Sequence, residues 1–225
     1  MVSFKGKHYV KSIILMAVRW YIAYSLSYRD IEELLLERGL KIDHTTVHRW
    51  VVEYSPKLAE SFKSKKKSTG SSWRMDETYV KVKGTWMYLY RAVDKNGNTI
   101  DFYFAKTRAK KDALKFFKKA IKTAGKPNKV TIDKSGSNTA ALNEINNNLP
   151  KNEQIEIRQI KYLNNIVEQD HRFIKKITKT TLGFKSIKSA RATLAGIELH
   201  HMLRKGQHKN AANQSIFKQF YGLSG

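Results

Sequence analysis

The sequence contains no cysteine. Disulfide frameworks, thiolate zinc sites and cysteine nucleophiles are therefore excluded, and the composition suits a reducing cytosol. Acidic residues are scarce: 19 Asp and Glu stand against 43 Lys and Arg, a formal net charge of +24. The basic excess is spread along the chain rather than held in a tail. It points to a large polyanion as partner, with nucleic acid the leading candidate and a merely soluble basic protein the alternative. A long apolar run is also missing. The stretch Ile13 to Leu26 is interrupted by Arg19, is short and lacks a small-residue cleavage site, so it reads as a buried helix rather than a signal peptide or membrane span. No internal repeat is visible. With 225 residues, 41% of them hydrophobic, the chain is long enough for one full domain and a small module.

What is present changes character along the chain. In the first 55 residues apolar side chains recur at helical spacing, as in Ile14, Val18, Ile22 and Leu26 and again in Ile31, Leu34 and Leu35. The segment LSYRDIEELLLERGLKIDHTTVHRWVVEY spells a helix, a break and a second helix. Ser27 with Asp30 caps the first, Gly39 ends it and Asp43 caps the second. The pair fits a helix-turn-helix in which Val47, Trp50 and Val51 pack inward. Thr45, Thr46, His48 and Arg49 then lie near the outer, N-terminal part of the second helix, where base edges are read. On pattern alone an ordinary helical hairpin fits as well.

The stretch SPKLAESFKSKKKSTGSS, with Lys65, Lys66 and Lys67 among Ser, Thr and Gly, reads as a solvated hinge. Beyond it, WRMDETYVKV, TWMYLYRAVD and TIDFYFAK are rich in β-branched and aromatic residues, and Asn96-Gly97 between the last two is a hairpin signal. A helix from Ala109 to Thr123, the strand KVTID, the polar helix SNTAALNEINNN, the strand IEIRQI and a helix from Asn164 to Ile177 follow. This is the order of a ribonuclease H-like fold, although periodicity alone secures only an α/β domain with a mixed sheet. SIKSARATLAGIELHHMLRK is expected to be a last amphipathic helix. His200, His201, Tyr162 and the aromatics around Trp86 and Tyr88 read as packing or surface groups. The expected organisation is an all-α helix-turn-helix domain over 1–56, a basic linker over 57–72, an α/β catalytic domain over 73–182 and a C-terminal helix and tail over 183–225.

Metal-assisted chemistry on phosphodiesters needs hard oxygen ligands able to hold two ions about 3.5–4 Å apart, so carboxylates from separate elements have to converge at a sheet edge. Three acids are placed for this. Asp76 lies inside the first strand, Asp133 at the exit of the fourth ahead of the turn material Lys134-Ser135-Gly136, and Glu168 at the start of the late helix. With 19 acids in the chain, the spacing of Asp133 and Glu168 carries little information, and each acid alone is compatible with a cap or a solvated charge. Glu77 shares the strand with Asp76, but alternation points it to the opposite face, so only one of the two is expected in the cluster. On a 3.6-residue helix Glu168, Arg172 and Lys175 share one side, opposite an apolar stripe of Ile166, Phe173, Ile174 and Ile177, with Asp170 turned away. An exposed Glu-Arg pair explains such a glutamate equally simply. Its company argues otherwise: from His171 to Ile197 there are seven Lys or Arg and no acid, a basic surface suited to phosphates.

WRMDETYVKVKGTWMYLYRAVDKNGNTIDFYF, VTIDKSGSN, KYLNNIVEQDHRFIKK and GFKSIKSARATLAGIELHHMLRKGQ, in this order, resemble the acid-triad (DDE) transposases of small bacterial insertion sequences, most closely the insertion-sequence-six family. The likeness extends to LSYRDIEELLLERGL and HTTVHRWV, and so over essentially the whole chain. The resemblance implies a ribonuclease H-like core with Asp76, Asp133 and Glu168 as the catalytic triad, holding two Mg²⁺ ions, with Mn²⁺ able to substitute. It makes Lys175 the basic residue on element-end DNA; Arg172 and Asn165 are further candidates by position alone, not from the resemblance. It implies double-stranded DNA partners, namely the terminal inverted repeats read by the helix-turn-helix and a target. A homo-oligomer, at least a dimer, pairs the ends by replicative, cointegrate-forming transposition. No membrane is expected, and the location is the bacterial cytoplasm at the nucleoid. A DNA-binding regulator and a nuclease that cuts without joining are the rival classes, and strand-transfer products separate them.

Overall fold

The computed structural model describes residues 2–179 and 183–225, and of Lys161 and Tyr162 the backbone. Tyr162's side chain and the domain boundary expected at residue 182 therefore lie outside the described residues. Two compact units are present: the chain up to Lys67 together with Phe173–Gly225, and Ser68–Arg172.

The second unit is built on a five-stranded sheet of β1 (Ser72–Val82), β2 (Thr85–Asp94), β3 (Thr99–Ala105), β4 (Lys129–Thr131) and β5 (Glu156–Arg158), in the order β3-β2-β1-β4-β5. The first three strands form an antiparallel meander, and β4 and β5 add in parallel to β1. Between the parallel strands run α4 (Lys110–Ala124) and α5 (Gly136–Asn146), the crossovers that parallel pairing requires. A meander followed by two parallel strands is the ribonuclease H-like arrangement expected from the element order. The β2–β3 turn is tied by Asp94, whose carboxylate accepts from the backbone N–H groups of Asn96 and Asn98 at 2.9 Å. Gly97 there has φ 81°, the conformation in which a side chain is strained. Trp73, Met75, Tyr90 and Ile100 of the sheet pack with Phe116, Phe117, Ala141 and Leu142 of the helices in one buried cluster.

The other unit is helical, with α1 (Lys11–Ala23), α2 (Tyr28–Leu36), α3 (His44–Lys63), α7 (Ile187–Arg204) and α8 (Ile216–Tyr221). The helix α6 (Asn165–Lys179) begins in the sheet unit and ends in this one. The capping signals are realised. Ser27 and Asp30 form a reciprocal capping box on α2, and Asp43 accepts from Thr45 and Thr46 at the start of α3.

Two features differ from the sequence reading. Residues 57–63, expected in the linker, continue α3 past Pro56, because Leu58 and Phe62 are buried and prolong the stripe begun by Val47, Val51 and Tyr54. Pro56 forgoes one backbone bond in the helix, which this packing offsets. The last long helix, expected to be amphipathic, is buried on nearly all sides, from Ala190 through Thr193, Gly196 and Leu199 to Leu203. It packs against α1, α3 and α8 at once. At Gly196 a Cβ would come within 2.8 Å of Ser55 and Ile22 side-chain atoms, so only glycine permits this approach of three helices.

Candidate active site

β4 pairs with β1 as far as Thr131↔Arg74. Continuing that parallel register by two residues brings Asp133 level with Asp76. Because β4 ends there, nothing from that strand screens the next residues of β1. Carboxylate oxygens of Asp76, Glu77 and Asp133 all lie within 4.8 Å of one another. Glu77 thus joins the cluster from which strand alternation was expected to exclude it. Alternation itself holds, with Asp76 facing His171 and Glu77 facing Asn138 and Arg108, but at a strand end both carboxylates can lean toward Asp133.

The Glu77 side is fully engaged. Its Oε1 accepts from the Asn138 amide at 3.0 Å and its Oε2 from Arg108 at 3.1 Å. The same Arg108 nitrogen donates to Asp133 Oδ2 at 2.9 Å, and Asp133 Oδ1 accepts from the Ser135 N–H at 3.1 Å. Partial burial opposes the charge on Arg108, but its bonds to Glu77 and Asp133 outweigh this and raise its pKa. On the other side Asp76 Oδ2 lies 3.7 Å from Nδ1 of the buried His171. Burial pushes Asp76 up to about 7, helped by the charges of Glu77, Asp133 and Glu168 against a backbone hydrogen bond from Glu77.

Glu168 stands in the first turn of α6 and is exposed, and its charge is felt at Asp76. Two contacts fasten this part of α6 to the sheet. Asn164 donates to the Met75 carbonyl at 3.4 Å. Arg91, paired across the strands with Asp76, donates to Asp170 at 2.8 Å, and the two side chains are 0% and 11% exposed. The buried stripe of α6 is therefore Val167, His171, Ile174 and Ile177, while Ile166 is 37% exposed. This is a rotation of the expected stripe, because Arg91 draws Asp170 toward the sheet. Arg172 and Lys175 are exposed as expected.

Of the four residues singled out on α3, Thr45 and Arg49 are exposed, with Arg49 bonded to the Thr45 carbonyl and hydroxyl. Thr46 is half-buried and its hydroxyl donates to Asp43. His48 is half-buried with its ring edge-on to Tyr28 at 5.2 Å. It lines a cavity of about 450 Å³ with Tyr28, Arg29 and Lys185. Burial, then Lys185 and Arg49, lower its pKa.

Sequence comparison accords with this arrangement. Residues 70–207 match the family DDE_Tnp_IS240, described as a DDE domain. Over 221 residues, 98% of this chain and 94% of the relative, the sequence is 42% identical to the transposase for insertion sequence-like element IS431mec of Staphylococcus aureus. The chain belongs to the DDE transposases of the insertion-sequence-six family. The transposase is likewise 42% identical, over the same share of its length, to the transposase for insertion sequence element IS257 in transposon Tn4003, also from Staphylococcus aureus. Among solved structures, the HTLV-2 integrase catalytic core domain in complex with magnesium (dimeric form) aligns with 58% of this chain and 85% of its own at a TM-score of 0.46 and 19% identity. Among the described residues no helix of the transposase is long and apolar enough to cross a membrane.

Sequence reasoning missed Glu77, Arg108, Asn138 and the Arg91–Asp170 pair. Arg91 carried a usable signal: a single arginine inside the strand TWMYLYRAVD must find an acid if it is buried. Arg108 carried none, since nothing in KTRAKKD sets it apart from the neighbouring lysines.

Proposed function

We propose that this transposase uses Asp76, Asp133 and Glu168 for Mg²⁺-dependent cleavage at the terminal inverted repeats of its element and for joining the freed ends to target DNA, in replicative fashion. The observation that carries the reading is the convergence of carboxylates at Asp76, which lies with Glu77 and Asp133 in one cluster and whose pKa is raised by burial and by the charges of Glu77, Asp133 and Glu168. The hard oxygen donors of Asp76, Glu77 and Asp133, within 4.8 Å of one another, suit Mg²⁺ or Mn²⁺, and a divalent cation would offset the burial and repulsion that raise the Asp76 pKa. Asp76, Asp133 and Glu168 would hold two such ions. When bound, they would supply Lewis acidity to the scissile phosphate and lower the pKa of the attacking water.

The chain's own residues do the rest. Arg108 fixes Glu77 and Asp133 in place, and Asp170 with Arg91 holds α6 so that Glu168 faces the sheet edge. Arg172 and Lys175 offer charge to the substrate's phosphates. Water attacks in line, the P–O3′ bond breaks and the element's 3′-OH leaves with a proton. That hydroxyl then attacks a target phosphodiester, forming one P–O bond as another breaks, so no covalent enzyme intermediate and no external energy source are required. Thr45, Arg49 and the rest of the α2–α3 pair take the duplex repeat, and a homo-oligomer, at least a dimer, brings two ends together in the cytoplasm at the nucleoid.

Asp76→Asn tests the reading. Joining of donor ends to a target plasmid should disappear while binding to the repeat stays nearly intact. Joining at the wild-type rate contradicts the assignment, and nicks without joined product in the wild type would make the protein a nuclease.

A further inference from the structure

β1 and β2 continue together past the rest of the sheet. β3 pairs with β2 only as far as Tyr88, and β4 pairs with β1 only from Ser72 to Arg74. From Tyr79 to Tyr88 the two strands form a ribbon turned at Lys83-Gly84, where both residues have positive φ, 49° and 79°, the tight two-residue hairpin geometry. One face of the ribbon, with Val80 and Val82, is buried. The other carries the cross-strand pairs Tyr79↔Tyr88 and Lys81↔Trp86. Tyr79 is 52% and Trp86 58% exposed.

These rings form a continuous strip. Tyr79 lies 5.3 Å from Tyr88 and 6.4 Å from Trp86, centroid to centroid, and Lys81 Nζ sits 5.8 Å over the Trp86 ring. Leaving two large rings in water is unfavourable, and cross-strand stability is available from smaller β-branched pairs. The strip bears no acid and includes Lys81, with Lys83 at the turn. Followed back along the same face of β1 it reaches Glu77 of the acid cluster, two residues before Tyr79 and about 7 Å along the strand.

We propose that this face is a stacking platform for unpaired DNA bases, seating a single strand beside the acid cluster. Aromatic faces accept any base, and adjacent lysines meet the backbone phosphates, the combination that binds single strands without reading their sequence. A second copy of this chain is a poorer occupant, since a twofold contact would oppose Lys81 and Lys83 to themselves. The proposal rests on the reading that the cluster acts on DNA, but its test requires neither metal nor cleavage.

The experiment titrates the full-length protein, without divalent ions, with a labelled oligothymidylate of about ten nucleotides, following anisotropy and tryptophan fluorescence. Trp50 and Trp73 are 5% and 1% exposed and Trp20 is half-buried, so the part of the quench that disappears in Trp86→Thr reports on Trp86. Trp86→Thr keeps a strand-forming residue and should weaken binding about tenfold or more while removing most of the quench. Trp86→Tyr should restore affinity to within about threefold of wild type. Duplex repeat binding should be unchanged in both. Lys81→Gln, which leaves the rings in place, should weaken binding and lower the salt dependence by about one counterion. Asp76→Asn should bind like wild type, so loss of joining in that variant leaves the platform standing. Unchanged oligothymidylate affinity in both Trp86→Thr and Lys81→Gln overturns the proposal. So does a change in the sedimentation of DNA-free protein in either variant, which would assign the face to contact between copies.

Discussion

Arg91 in the sheet unit and His200 in the helical unit are buried to the same degree, 0% and 1% exposed, yet they meet burial in opposite ways. Arg91 keeps its charge and is matched by Asp170 at 2.8 Å. Among the described residues His200 has no hydrogen-bond partner on either ring nitrogen. Its pKa is driven down to about 3 by burial first, then by Arg204, Arg19 and His201, so it stays neutral. The sheet unit has to hold several acids near one point, and a buried charged pair fixes α6 against β2 in one register. At the place of His200 on α7 a neutral ring filling space is sufficient.

Breaking the pair should give the larger effect. Asp170→Ala leaves a buried guanidinium without that carboxylate and should destabilise the sheet unit by about 3–5 kcal/mol. Joining activity should fall with it, because the tie between α6 and the sheet is lost. Urea unfolding checks this, and an unchanged midpoint would show that other contacts carry the helix.

The smaller effect depends on pH. Above the ordinary value of 6.5 His200 is neutral whether folded or unfolded. Below it the unfolded chain takes up a proton that the folded chain refuses until about 3. The folded state therefore loses stability as pH falls through that window. His200→Leu should flatten this decline between about pH 6 and about pH 4 with little effect near about pH 7. Parallel curves for variant and wild type would mean that His200 is protonated in the fold.

Much of this was legible from local signals. The Ser27–Asp30 box, the Asp43 cap, the Asn96-Gly97 turn and the alternation of short strands and helices each depend on a few neighbouring residues, and all appear in the structure. The placement of Asp76 inside β1 and of Asp133 beyond β4 followed from strand ends. What escaped depends on contacts between segments distant in sequence. Residues 57–63 have a linker's composition, yet Leu58 and Phe62 turn them helical. α7 lacks a polar face because three helices cover it. Ile166 and Asp170 exchanged faces because Arg91, some eighty positions earlier, required an acid. Glu77 joined the cluster because β4 is only three residues long, which no pattern within β1 reveals.

The identity of the acids that hold metal is open to one direct measurement: anomalous diffraction from crystals of the transposase grown with Mn²⁺. Density contacting Asp76 and Asp133, with Glu168 as the third carboxylate, is the predicted result. Density held between Glu77 and Asp133, with Arg108 displaced and Glu168 left in solvent, would contradict it.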